Sequence, residues 1–524
     1  MKSAPNFVVA VDIGTTSVKT LLIDVAGQVK RVHSIGYPLH VPQSDMAEQD
    51  PEQIFQAVID GMTAMIVSSG VHPDDILCVS FSSAMHSLIV MDDHHQPLTE
   101  SIIWADQRSV EAAEELIRSG EGQSIYQNTG TPIHPMSPLT KLIWLREHRP
   151  EIYQQANKFI GIKEYIFYRL FKEYTIDYSI ASATGMFNIH QLEWDEEALQ
   201  VTGISKQQLS VPVPTTHVIR GIDPEYASKM GINQDTPFVI GASDGVLANL
   251  GIGVMDSNEA AVTIGTSSAV RAVVRKPTLD PEGRLFCYAL AEDYWVIGGA
   301  SNNGGVVLRW TVDQLFSDGV EPLSQHQVEQ YTSFLDIAKK APPGANGLLF
   351  LPLLTGERAP FWDAKARGVY FGLSMSHHKA HMLRAAMEGM IFQIGSIVSL
   401  MERLSVKPTI IRASGGVVRS GLICQIMADV LGIPVEVPEV IESSGLGAAK
   451  LGLYAMGVID DLIDPISSLE SSTNFRYVPN EQNHQLYQQL LPIYLNVYHQ
   501  LKDSYKEIAK FQLSDSSNIK EMTT

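Results

Sequence analysis

Two short stretches of this chain carry the residue types that hold phosphate. Gly14-Thr15-Thr16-Ser17 follows the apolar run Phe7–Val11 and the pair Asp12-Ile13. A turn of glycine and hydroxyl residues after a buried strand offers backbone N–H groups and hydroxyls with no bulky side chain over them, as phosphate oxygens require. The stretch recurs. Val11–Ser17 reads V-D-I-G-T-T-S and Val262–Ser268 reads V-T-I-G-T-S-S, identical at five of seven positions and 251 residues apart in a chain of 524. Duplicated halves are the simplest explanation, and chance likeness of two strand–turn segments is the other. Paired, the turns suit one polyphosphate gripped from two sides; singly, each reads equally well as an ordinary hairpin. Asp12 of the first copy is Thr263 in the second, so only one side brings a carboxylate suited to a hydrated Mg²⁺.

Gly241-Ala-Ser243-Asp244-Gly245 supports two chemistries. As G-x-S-x-G after an apolar strand it matches a nucleophile elbow with Ser243 attacking. Centred on Asp244, it puts a carboxylate at a strand mouth, placed to take the proton of a hydroxyl attacking a γ-phosphate; a helix N-cap is the bland competitor. Ser414-Gly415-Gly416 and Ser443-Ser444-Gly445 permit close approach of an adenine or ribose, or are packing glycines. No G-x-x-x-x-G-K-[ST] occurs, and Gly445-Leu-Gly447-Ala-Ala-Lys450 lacks the last glycine of the dinucleotide fingerprint. His94-His95 and His377-His378 have no third ligand at metal spacing and read as solvated loop residues.

The elements that must position these residues alternate. Phe7–Val11 and Val18–Asp24 read as a hairpin, a helix starts at Pro51, and strands follow at Ile76–Ser82 and Ser87–Met91. The pattern turns mostly helical beyond Pro138 until the strand ending at Ile240. It then restarts with strands Ala260–Ile264, Leu285–Leu290 and Trp295–Ile297 and helices Val306–Leu315, Met382–Leu404, Gly421–Leu431 and from Gln482 onward. Mixed strands and helices mean an α/β or α+β fold, and 524 residues favour two large domains. With 38 Lys and Arg against 58 Asp and Glu the net charge is -20, which repels nucleic acid and anionic lipid. Three distant cysteines exclude a disulfide framework and favour the cytoplasm. The start has too short an apolar core for a signal peptide, and no long apolar run predicts a membrane span.

These motifs resemble the FGGY carbohydrate kinases of the actin and Hsp70 ATPase superfamily. Asp12–Lys19 is similar to the first phosphate loop of that family and Val262–Ser268 to the second. Met136–His148 is similar to one family signature, and Gly368–Leu373 through His381–Glu388 to the other. Within the family, Phe81–His86, Trp104–Arg108, Gly130–Pro135 and Gly161–Tyr165 resemble the subgroup that phosphorylates D-gluconate at its C6 hydroxyl. Departures stand at Ala84, where many members have Gln, at Ser414, where a glycine is common, and at Arg419, where several have Asn.

The resemblance implies two ribonuclease-H-like α/β domains around a central cleft. Residues 1–253 would bind mainly sugar, 254–510 mainly ATP, and 511–524 would form a frayed tail. It implies Asp244 as catalytic base and Asp12 as the Mg²⁺-associated carboxylate. Met85, His86, Asp106 and Arg108 would line the sugar. Gly14, Thr15, Thr16, Ser17, Lys19, Gly265, Thr266, Ser267, Gly305, Gly415, Gly416 and Arg419 would surround ATP. A sugar acid needs a cation at the end opposite the reacting hydroxyl; Arg108, His134 and Lys163 are the candidates. The implied partners are a small sugar acid and ATP, with neither nucleic acid nor membrane. A homodimer is admitted by the family, although no apolar stripe demands one. The competing functions are another FGGY kinase acting on xylulose, an actin-like nucleotide-switched assembly protein, and a serine hydrolase at Ser243.

Overall fold

The computed structural model describes residues 6–315, 334–438, 442–463 and 473–521. The chain forms two compact units. The first comprises Met1–Asp256, Val273–Ile297 and Val440–Ser471; the second comprises Ser257–Ala272, Gly298–Glu439 and Ser472–Thr524. The first unit thus takes two segments from the half of the chain assigned by sequence to the nucleotide side.

The sheet of the first unit runs in the order Val218–Ile219, Phe238–Ser243, Ile76–Ser83, Phe7–Ile13, Ser17–Asp24, Val29–Gly36. Phe7–Ile13 is nearly all apolar and buried, so it sits inside the sheet. It pairs antiparallel with Ser17–Asp24 and parallel with Ile76–Ser83. Val29–Gly36 is mostly exposed and carries Lys30, Arg31 and His33, charges that discourage further pairing at an edge. The helix Pro51–Ser69 is capped by Asp50, whose carboxylate accepts from Glu52 N at 2.8 Å, and it ends at left-handed Gly70. Ile54, Phe55, Val58 and Met62 on that helix pack with Val9, Val11 and Phe81 of the sheet.

The helix Ser443–Ala455 also belongs to the first unit and packs against the helix Asp244–Gly251. Their backbones approach so closely that a Cβ on Gly447 would stand 2.0 Å from Leu247 O, and one on Gly251 1.9 Å from Ser443 O. Only glycine fits both places. Gly445, read from the sequence as an adenine or ribose approach or as a packing glycine, is buried, and a Cβ there would stand 2.7 Å from Leu21 Cδ1.

The sheet of the second unit contains, in order, Ser268–Val274, Glu259–Ile264, Ile410–Ser414, Val435–Pro438 and Thr473–Tyr477. Glu259–Ile264 pairs antiparallel with Ser268–Val274 and parallel with Ile410–Ser414, which is parallel to Val435–Pro438. In both sheets the first strand of the hairpin pairs antiparallel with the second and parallel with a later strand, which in turn pairs parallel with a still later one, the topological counterpart of the sequence repeat. The helix Lys379–Arg403 is long and apolar enough to cross a membrane, but its apolar window is 94% buried inside the protein. The last helix, Glu481–Glu521, runs through most of the segment expected to fray, whose final three residues lie outside the described residues.

Candidate functional site

In the first unit, parallel strands bring carboxylates to one end. Asp12 stands in register with Ser82, and Ser82 with Ala242, so the C-terminal ends of three strands converge where ligands bind in open α/β sheets. Ser82 Oγ donates to Asp12 Oδ1 at 2.6 Å. Asp244 follows as the first residue of the helix Asp244–Gly251, where the positive helix end favours a carboxylate. The cap position itself belongs to Ser243, so Asp244 is not the N-cap. Burial pushes the Asp12 carboxyl up to about 6, Ser82 and Lys19 oppose the rise, and the charges of Asp244 and Glu442 add to it. Asp12 and Asp244 therefore sense one another. Lys19, opposite Asp12 in the hairpin, spends its ammonium on Glu442 at 2.7 Å.

The first turn is polarised for an anion. Its carbonyls are taken from behind: Gly14 O by the Tyr37 hydroxyl, Thr15 O by Gln49 Nε2 at 2.6 Å and Thr16 O by Tyr37 N at 3.2 Å. Gly14 N donates to Ser17 O at 3.0 Å, and the amides of Thr15 and Thr16 enter none of the described backbone bonds. The Thr15 hydroxyl accepts from Trp104 Nε1 at 3.0 Å. A small pocket lined by Gly14, Thr15, Gln49, Met85 and Trp104 joins this turn to the expected sugar segments.

Those segments hold an ionic cluster. Asp106 is fully buried; it accepts from Ala47 N at 2.8 Å and from Arg108 Nε and Nη2, while Arg108 Nη2 also donates to Glu48 at 2.5 Å. Arg108 lies over the Trp144 ring with 5.2 Å to its centroid, and its Nη1 enters none of the described hydrogen bonds. His86 is buried in a left-handed conformation, φ 69°, with its Nδ1 2.6 Å from Ala183 O. Such a backbone costs about 1–3 kcal/mol and persists only where neighbours enforce it. His134 is buried, its Nδ1 accepting from Met136 N at 3.2 Å.

Lys163, a candidate cation for the substrate carboxylate, is not held out to solvent. It is buried and ion-paired with Asp177 at 2.5 Å, with Ile240 O at 3.2 Å. It supports the strand that carries Asp244 rather than presenting an ammonium to a ligand. Ser243 is likewise buried, its hydroxyl accepting from Ser179 Oγ at 3.0 Å. An elbow serine must be exposed and paired with a base, so this geometry removes the hydrolase reading.

The second unit builds its turn differently. Gly265 N donates to Ser267 O at 2.9 Å, and the turn's carbonyls accept from the start of the helix Gly305–Leu315: Gly305 N to Gly265 O at 2.7 Å, and Gly304 N and Val306 N to Thr266 O at 3.2 Å. Gly265 and Thr266 are exposed. Gly415, at φ 97°, passes Ile264 so closely that a Cβ would stand 2.4 Å from its carbonyl; Gly416 borders open space, and Arg419 is exposed. Behind the segment Ser301–Asn303, the fully buried Glu357 accepts from Ser301 Oγ, Asn302 N, Asn303 Nδ2 and Gln393 Nε2 at 2.8–3.0 Å.

Sequence reasoning did not single out Lys141, Glu48 or Glu357. Lys141 and Glu357 look like surface charges in sequence because their partners lie dozens of positions away. Among the described residues, no group of three His, Cys, Asp or Glu forms a metal cage. Asp12 nevertheless suits Mg²⁺: a single carboxylate with one oxygen held by Ser82 fits an ion that keeps its waters and takes further oxygens from phosphates.

The chain matches the N-terminal domain of the FGGY family of carbohydrate kinases over residues 7–251 and the C-terminal domain over residues 260–456. It belongs to the FGGY family and is a carbohydrate kinase, a phosphotransferase whose family takes ATP as donor. It is 49% identical over 509 residues to a gluconokinase of Bacillus subtilis (strain 168), covering 97% of this chain and 98% of the relative. It superimposes with a TM-score of 0.90 on the crystal structure of gluconate kinase from Lactobacillus acidophilus, at 37% identity over 96% of this chain and 99% of the other. The same values hold for a ligand-bound xylulose kinase structure from that organism. The two-domain fold expected from the sequence is that of these neighbours.

Proposed function

We propose that this enzyme transfers the γ-phosphoryl group of ATP to the C6 hydroxyl of D-gluconate, giving 6-phosphogluconate and ADP. The observation that carries this reading is the pair Asp12 and Asp244 at the converging strand ends, together with near-full-length likeness to a gluconokinase. Asp244 accepts the proton of the C6 hydroxyl as that oxygen bonds to phosphorus and the bond to the ADP oxygen breaks. The amides of Thr15 and Thr16, which enter none of the described backbone bonds, donate to phosphate oxygens and offset the charge that develops there, and the turn Gly265–Ser267 of the second unit belongs with the nucleotide residues. Asp12 would hold Mg²⁺, which supplies positive charge to the phosphates when bound. Gly305, Gly415, Gly416 and Arg419 serve the nucleotide, and Met85, His86, Asp106, Arg108 and His134 the sugar. Of the cations considered for the carboxylate, Arg108 keeps the N–H groups of Nη1, whereas Lys163 is spent on Asp177.

Xylulose is the second reading, favoured by one observation: Arg108 is already neutralised by Asp106 and Glu48, a better match for an uncharged polyol than for an acid. ADP release measured over a panel of gluconate, xylulose and glycerol separates the two. Gluconate is expected to give the highest kcat/KM; xylulose far above gluconate would transfer the assignment.

A further inference from the structure

Lys141 is a lysine with no exposure at all, set in the first turns of the helix Pro138–His148. Its ammonium donates to three backbone carbonyls: His86 O at 2.7 Å, Ile103 O at 2.8 Å and Ile102 O at 3.2 Å. An ammonium has three N–H donors, and here each has one acceptor. The carbonyls come from two separate segments. One carries Met85 and the left-handed His86; the other leads directly into Trp104, Asp106 and Arg108. Ile102 also exchanges both backbone bonds with Leu88, and Ile103 O accepts from Asp106 N, so the lysine sits at the junction of these segments.

We propose that Lys141 is the positioning residue of the sugar pocket, drawing the Met85–His86 turn and the Trp104–Arg108 segment into one binding surface. This rests on the proposed sugar site. An apolar residue of equal length would fill the same space but leave three buried carbonyls without this donor. Removal should therefore loosen sugar binding in particular, because all three bonds of the ammonium go to the sugar segments and none to the turn Gly14–Ser17. Protonation matters as well as size, since a neutral amine has only two N–H groups for three acceptors. Burial pushes the Lys141 ammonium down to about 7; Asp106 opposes that fall and Arg108, itself held by Glu48, adds to it.

The test compares the full-length enzyme with Lys141→Met and Lys141→Arg. In Lys141→Met the KM for gluconate should rise about ten- to a hundredfold while the KM for ATP stays within about threefold. In the wild type the gluconate KM should climb as pH rises from 6 to 9, and Lys141→Arg, permanently charged, should flatten that climb. A purely structural lysine would move both KM values together and leave no proton-linked difference between wild type and Lys141→Arg; either outcome overturns the proposal. Should both variants fail to fold, the wild-type profile decides, because a gluconate KM independent of pH across that range also overturns it. Wild-type turnover is measured first. Absence of turnover on every sugar removes the functional reading and this one together; turnover with an unmoved gluconate KM in Lys141→Met removes this one alone.

Discussion

The two hairpins are built on one plan and carry opposite chemistry. In each, the residue two places before the turn glycine is tied to a serine on the parallel neighbour: Ser82 to Asp12 at 2.6 Å, and Ser414 with Thr263 at 3.1 Å. The first strand thus ends in a half-buried carboxylate, the second in a pair of hydroxyls. The turns also close differently. Ile13 pairs with Val18, leaving Gly14–Ser17 outside the ladder, whereas Ile264 pairs with Ser268 and leaves only Gly265–Ser267. The first turn's carbonyls are held by Tyr37 and Gln49, the second's by the amides of a helix start. A duplicated scaffold therefore preserves the hydrogen-bonding skeleton while one side-chain exchange decides where charge sits. A second carboxylate beside a polyphosphate would add repulsion.

That contrast can be broken at its charged end first. Asp244→Asn should lower turnover about 10²–10⁴-fold with the gluconate KM little changed, measured by steady-state ADP release, because it removes the proposed proton acceptor but keeps the shape. Ser243→Ala should matter far less. Near-normal turnover in Asp244→Asn would falsify the assignment of the base.

Erasing the asymmetry is the second route. Thr263→Asp should raise the KM for ATP roughly tenfold, equivalent to about 1.4 kcal/mol of repulsion, with the gluconate KM unaffected. An unchanged KM for ATP would mean that the second turn does not face phosphate.

The smallest effect sharpens the contrast through stability. Folded Asp12 keeps its proton up to about pH 6 against a reference of 3.8, so folding takes up a proton in that window and stability falls as pH rises through it. Asp12→Asn removes the cost of the buried charge. Its Tm should exceed that of the wild type by a few degrees at pH 8, and the gain should shrink toward pH 4. Equal melting of the two proteins at pH 8 would show that the carboxylate is not under strain.

Much of the site was legible because its signals are local. Glycine and hydroxyls after the apolar strands Phe7–Ile13 and Glu259–Ile264 announce turns with open amides, and both turns formed as hairpins. The helix at Pro51 was readable from its proline and preceding Asp50. Lys163 misled because nothing nearby in sequence announces Asp177 as its buried partner. At Ser443–Gly445 the sequence offered both a nucleotide approach and a packing glycine, and the neighbour Gly445 meets, Leu21, is far away in sequence.

The order of residues alone announced the strand–turn segments and the helix at Pro51 and displayed the repeat that relates the two sheets, while the edge strand Val29–Gly36 and the short strands between Pro138 and Val218–Ile219 went unannounced. The announced features follow from side-chain periodicity and backbone preference over a handful of neighbours. Folding in three dimensions decided which charges are spent and which remain available. Asp106 and Glu48 claim Arg108, three carbonyls claim Lys141, and Glu442 claims Lys19 across 423 positions. Desolvation and ion pairing act through space, and no window of sequence contains the distances on which they depend.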